Sequence, residues 1–121
     1  MRKLTNYDNI KYTIECLPEV IPIKGNAMAS GDPEEDRRTE DWIQTELDSG
    51  NEYAWCVMKV TAEFKGYRGV DYLGCCSYTS RFDFMQSDYL NDMKDQALQD
   101  LNNTLAKIVN DSKELESVLN D

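Results

Sequence analysis

The 121-residue chain carries 23 acidic and 13 basic residues and no histidine, for a net charge of −10. That length fits one domain, residues 1–121, with a real hydrophobic core and little surplus. The charge excludes a bulk binder of double-stranded nucleic acid, and no run approaches the roughly 20 apolar residues that cross a bilayer. Met1-Arg2-Lys3 has no apolar stretch behind it, so a cytoplasmic protein without membrane contact is expected.

The charge is unevenly placed. Residues 32–52 hold nine acidic and two basic side chains, and residues 82–121 hold nine and three. Both segments have helical periodicity, while the intervening strand-like blocks are slightly basic. Cys16, Cys56, Cys75 and Cys76 have no C-x-x-C spacing. With no histidine to help, they read as packing residues of strands rather than a zinc site, and only the outward member of the Cys75-Cys76 pair is a candidate reactive thiol.

In chain order, Ile10, Tyr12, Ile14 and Cys16 alternate with polar residues, the period of a half-buried strand. Val20-Ile21, bracketed by Pro18 and Pro22, reads as a short or edge strand. Asp32-Pro33-Glu34-Glu35 carries the signature of a helix start: an N-cap aspartate, proline at the first helical position and a glutamate three residues on. Trp42, Ile43 and Leu47 then form a narrow apolar stripe, and the helix is expected to end near Ser49-Gly50. From 53 to 65, Ala54, Cys56, Met58, Val60, Ala62 and Phe64 share one strand face, opposite Trp55, Val57 and Lys59. Gly66-Tyr67-Arg68-Gly69 reads as the hairpin connection to a return strand, Val70 to Thr79, in which Gly74 marks a bulge or a close backbone approach.

Ser80-Arg81-Phe82-Asp83 repeats the capping pattern and opens a second helix. Its stripe runs Leu90, Met93, Ala97, Leu98, Leu101, Leu105, Ile108, Leu115 and Leu119, with a break expected near Asn110-Asp111-Ser112. The expected fold is α+β: an antiparallel β-sheet with two amphipathic helices in the order ββαββα. The outward face carrying Trp55 and Val57 would be an apolar patch in water, which points to a homo-oligomer.

Enzymatic signatures are scarce. A Ser-His or Cys-His nucleophile cannot be built without histidine, no phosphate-binding glycine loop occurs, and the carboxylate clusters read as solvated helix faces. No catalytic residue, metal site or cofactor is therefore expected. Between residues 53 and 84, aromatic rings interleave with Lys59, Lys65, Arg68 and Arg81, the mixture that suits a stacked base beside a phosphate. Phe82, next to Arg81 in the first turn of a helix, reads either as a stacking face or as a hydrophobic contact. Met28 reads as a core plug or a cover for a flat ring. Asn91 either reads a base edge or faces water.

Residues Ile23-Lys24-Gly25-Asn26-Ala27-Met28-Ala29-Ser30-Gly31-Asp32, Tyr53-Ala54-Trp55-Cys56 and Leu73-Gly74-Cys75-Cys76-Ser77-Tyr78, followed by Asp83-Phe84 and Asp92-Met93, resemble the first anti-Thoeris protein family of phages and prophages. The resemblance spans about residues 10–105. It implies a sheet with C-terminal helices that forms a homodimer or hexamer in the host cytoplasm. It also implies capture, without cleavage, of a small cyclic nucleotide: glycocyclic ADP-ribose and, in some members, the cyclic oligonucleotides of CBASS. Carried onto this chain, it implies Met28 and Phe82 around adenine, Asn91 or Asp92 as the polar reader and Arg81 near phosphate. Basic residues near the end of the last helix, Lys107 and Lys113, are fewer than a pyrophosphate clamp would need. The competing reading is an acidic DNA mimic that inhibits a restriction or CRISPR complex through its helical carboxylates.

Overall fold

A computed structural model describes residues 1–27 and 30–121. The order is β1 (Lys11–Pro18), α1 (Pro33–Asp48), a 3-10 turn (Glu52–Ala54), β2 (Cys56–Phe64), β3 (Tyr67–Cys76), α2 (Arg81–Met85) and α3 (Asp88–Leu119). The strands form one antiparallel sheet in the order β1-β2-β3. The fold is α+β, as expected, but the ββαββα order with two helices is not what forms. Two local facts account for the difference.

First, Val20-Ile21 is not a strand. The Ile21 N–H donates to Glu19 Oε1 at 3.0 Å, and its carbonyl accepts the Trp55 indole N–H at 2.7 Å. With its N–H taken by Glu19, Ile21 has no donor left to offer a ladder. Second, the helix after β3 breaks at Gln86-Ser87 rather than at Asn110-Asp111-Ser112. The Ser87 hydroxyl donates to the Phe84 carbonyl at 2.7 Å and closes α2 after five residues. α3 then continues unbroken for 32 residues.

The β2–β3 hairpin is tighter than the expected four-residue link. Its turn is Lys65-Gly66, with φ of 52° and 85°. Both turn residues are left-handed, the geometry that matches strand twist in a two-residue loop. Gly69 therefore belongs to β3. A Cβ added there would overlap the backbone of Ala97 and Leu101 on α3, so only glycine allows the helix this close.

The chain divides into two compact units: Met1–Thr13, Val60–Asp71 and Asp92–Asp121 in one, Ile14–Lys59 and Tyr72–Asn91 in the other. The first is built on Val60, Ala62, Met93, Ala97 and Leu101, all buried. Its buried polar side chain, Asn102, accepts from the Leu4 N–H at 2.8 Å and donates to the Leu4 carbonyl at 3.0 Å. The amide thus treats the N-terminal segment as a strand neighbour would, leaving neither group unpaired.

In the second unit, α1 is capped as its sequence requires: Asp32 accepts from the Glu34 and Glu35 amides. Glu35 does not complete a reciprocal box, because the Asp32 N–H already donates to Ser30 Oγ at 3.1 Å. Ile43 packs with Ala54 and Trp55, and Ile23, Ala27 and Leu47 cover that cluster. Trp55 is 5% exposed, so the expected outward patch is absent at this residue. It stands one residue ahead of β2, between the 3-10 turn and the strand, and escapes the alternation that holds from Cys56 onward.

Candidate functional site

β3 hands the chain to α2 through a densely bonded corner. Asn51 Nδ2 donates to the carbonyls of Tyr78 and Thr79, both at 3.2 Å, and Oδ1 accepts from the Tyr53 amide at 3.2 Å. The Tyr78 N–H donates to the Tyr53 carbonyl at 2.8 Å. Ser80 caps α2 by accepting from the Asp83 amide at 3.2 Å, and the Asp83 carboxylate accepts from the Thr79 amide at 2.9 Å. Asn51 is a positioning residue that the sequence reading did not find. Its nearest signal was its place two positions after Ser49, which caps the C-terminus of α1.

This corner fixes the two phenylalanines of α2 in opposite environments. Phe84 is fully buried and meets Tyr78 edge-to-face, with centroids 5.1 Å apart at 73°. Phe82, two residues earlier and so about 200° around the helix, is 72% exposed. The hydrophobic-contact reading of Phe82 therefore falls: the ring stands in water on a rigid mount. Arg81 beside it is also exposed, and its guanidinium donates to the Ile14 carbonyl and to the Tyr53 hydroxyl, both at 3.4 Å. Both contacts are long, leaving most of the guanidinium fork free to meet an anion. The first-turn amides offer less than the sequence suggested, because Ser80 takes the Asp83 N–H through its side chain and the Phe84 N–H through its carbonyl.

Asn91 and Asp92 stand exposed near the start of α3, beside buried Leu90 and Met93. Neither side chain enters a hydrogen bond or ion pair among the described residues. Met28 lies outside the described residues. Of the five residues expected to contact ligand, the structure thus presents Arg81 and Phe82 side by side, and Asn91 and Asp92 as two free polar side chains.

Concavities of this unit lie elsewhere, two of them lined in part by Glu19 and Trp55. One of about 390 Å³ is lined by residues including Cys16, Pro18, Leu47, Glu52 and Trp55. The other, of about 550 Å³, runs past Ile21, Lys24, Glu40, Asp41 and Trp55. Sequence reasoning missed both, since they depend on Trp55 being turned inward. Their carboxylates make them poor phosphate sites, and two of those carboxylates already serve the backbone. Glu40 accepts from the Gly25 amide at 3.2 Å. Glu19 accepts from the Cys75 amide at 2.7 Å as well as from Ile21, and these bonds hold its carboxyl below the usual range.

The cysteines behave as packing groups with one exception. Burial pushes the Cys16, Cys56 and Cys76 thiols up, away from the thiolate a reactive cysteine needs. Cys75 is exposed while Cys76 is 5% exposed, as expected of strand neighbours. Among the described residues, no three Cys, Asp or Glu side chains are arranged to hold a metal ion, and no helix is long and apolar enough to cross a membrane.

No protein family, curated protein or solved structure matches this chain.

Proposed function

We propose that the protein binds a small cyclic nucleotide at the Arg81-Phe82 corner and holds it without turnover, as a sequestering protein in a phage-infected bacterial cytoplasm. The observation that carries this reading is the 72% exposure of Phe82 beside Arg81, on a helix whose other phenylalanine is fully buried. A ring held out of the core in this way offers a face on which a base can stack. Arg81 supplies charge for a phosphate at the edge of the same surface, and Asn91 supplies an amide for a base edge. Glycocyclic ADP-ribose is the first ligand to test, on the strength of the resemblance, followed by cyclic oligonucleotides.

The test mixes protein with each nucleotide, removes free ligand, denatures the protein by heat and asks what is released. Intact nucleotide in stoichiometric amount supports sequestration. A linear product formed over many turnovers, or no bound nucleotide of either class, overturns it. Base stacking on an aromatic contributes roughly 1–3 kcal/mol, so Phe82→Ala should weaken binding about tenfold or more at an unchanged melting temperature. Unaltered affinity would remove Phe82 from the site.

A further inference from the structure

The smaller of the two concavities at Trp55 shares no residue with the Arg81-Phe82 corner. Its volume of about 390 Å³ falls within the range of small-molecule pockets, roughly 300–1,000 Å³. Leu17, Pro18, Leu47 and Trp55 give it a mostly apolar wall, and the charged side chains on that wall, Glu19 and Glu52, are both acidic. The wall is held in place. The Trp55 indole N–H is fixed on the Ile21 carbonyl at 2.7 Å, and Leu47 packs against the cluster of Ile43, Ala54 and Trp55.

The two carboxylates offer different things. Glu19 is half-buried and uses both oxygens on backbone amides, Oε1 on Ile21 and Oε2 on Cys75. Those bonds favour its charged form, so it contributes a fixed negative field. Glu52 is exposed at the start of the 3-10 turn, and its carboxylate has no ion-pair or hydrogen-bond partner among the described residues. It is free to close a direct bond. No lysine or arginine lines the concavity, and Arg81, whose charge reaches Cys16, makes its bonds to the Ile14 carbonyl and the Tyr53 hydroxyl.

We propose that this concavity binds a small primary amine, its ammonium on Glu52 and its apolar body against Leu17, Leu47 and Trp55. An anion would be repelled by both carboxylates. A metal ion lacks its ligand set, since among the described residues no three carboxylate or thiol side chains are arranged to hold one. A primary ammonium brings three donors and a positive charge to a carboxylate that has neither. Its apolar body removes leucine and tryptophan surface from water, and the indole adds attraction for a cation close to it. The net charge of −10 raises the local concentration of any cation. The proposal stands without nucleotide binding.

Phenethylamine is the probe, with phenethyl alcohol and phenylacetate as matched neutral and anionic controls. Titrated into the isotope-labelled full chain, the amine should shift the Trp55 indole N–H signal saturably. It should bind about tenfold or more tightly than either control, as a charge-assisted bond requires. Glu52→Gln, at an unchanged melting temperature, should remove that preference by weakening the amine and leaving the alcohol as it was. No shift at Trp55 with millimolar amine overturns the proposal. So does equal binding of amine and alcohol, which would make the concavity an apolar groove without charge selection, and so does amine binding indifferent to Glu52→Gln.

Discussion

The two halves of α3 have the same sequence pattern and opposite surroundings. In the first half Met93, Ala97 and Leu101 are buried, β3 offers Gly69 so that the backbones can meet, and Asn102 grips the N-terminal segment. In the second half Ile108, Leu115 and Leu119 repeat the spacing with no cover of their own. A hydrophobic period therefore specifies which side of a helix is to be buried, and says nothing of what buries it. In the first half the close approach of β3 depends on a glycine, not on a further apolar side chain.

Substitutions should separate the halves by size of effect. The largest is Gly69→Val, whose added atoms overlap the backbone of Ala97 and Leu101 and can be relieved only by moving α3. A loss of about 3 kcal/mol or more is expected, read as a fall of roughly 10 °C or more in melting temperature. An unchanged melting temperature would mean the helix does not lie where described. Next comes Asn102→Ala, which strips the partners from the Leu4 N–H and carbonyl together. A cost of about 1–3 kcal/mol follows, and amide exchange at Leu4 should speed up in step. On the distal half, Leu115→Ala should fall within about 0.5 kcal/mol of the parent, because Leu115 is 60% exposed. A core-sized loss there would mean that Leu115 is covered in solution.

How far the sequence could be read follows from the same contrast. The buried face of β2 was legible, because Ala54, Cys56, Met58, Val60 and Ala62 alternate and all are fully buried. The α1 boundaries were legible from Asp32-Pro33 and Ser49-Gly50, since caps are local chemistry. Trp55 was not. Its direction depends on a 3-10 turn that interrupts the alternation and on an indole bond to Ile21, 34 residues away in the chain. The break at Gln86-Ser87 was hidden for a similar reason: a single serine back-bond ended α2, while three polar residues at 110–112 with better credentials as breakers did not end α3. At the candidate site, the neighbours Arg81 and Phe82 were legible as a pair. Their exposure was not, because it is set by Phe84 docking on Tyr78.

The smallest predicted effect concerns the N-terminal segment that Asn102 holds. Arg2 Nη2 lies 2.9 Å from Asp8 Oδ1, and the Thr5 amide donates to Oδ2 at 2.7 Å. The Arg2 guanidinium first, then the Thr5 amide, lowers the Asp8 carboxyl to about 2. A carboxyl depressed on folding stabilises the folded state above its unfolded value of roughly 4 and stops doing so as pH falls through its folded value. Any contribution should therefore vanish between about pH 4 and pH 2. It will be small, because exposed ion pairs are well screened. A chemical-shift titration of Asp8 with its midpoint near 4 would show that the pair does not persist in solution.

The Lys65-Gly66 turn has a kinetic side. It joins β2 to β3 with two residues, whereas β1 meets β2 only after residues 19–55 have been looped out. Short loops close on the microsecond scale, and longer ones carry a greater entropic cost before any contact rewards it. The hairpin should therefore be in place early, offering β2 as a template to which β1 adds late. Changes at Lys65-Gly66 should slow folding, while changes confined to β1 should chiefly hasten unfolding.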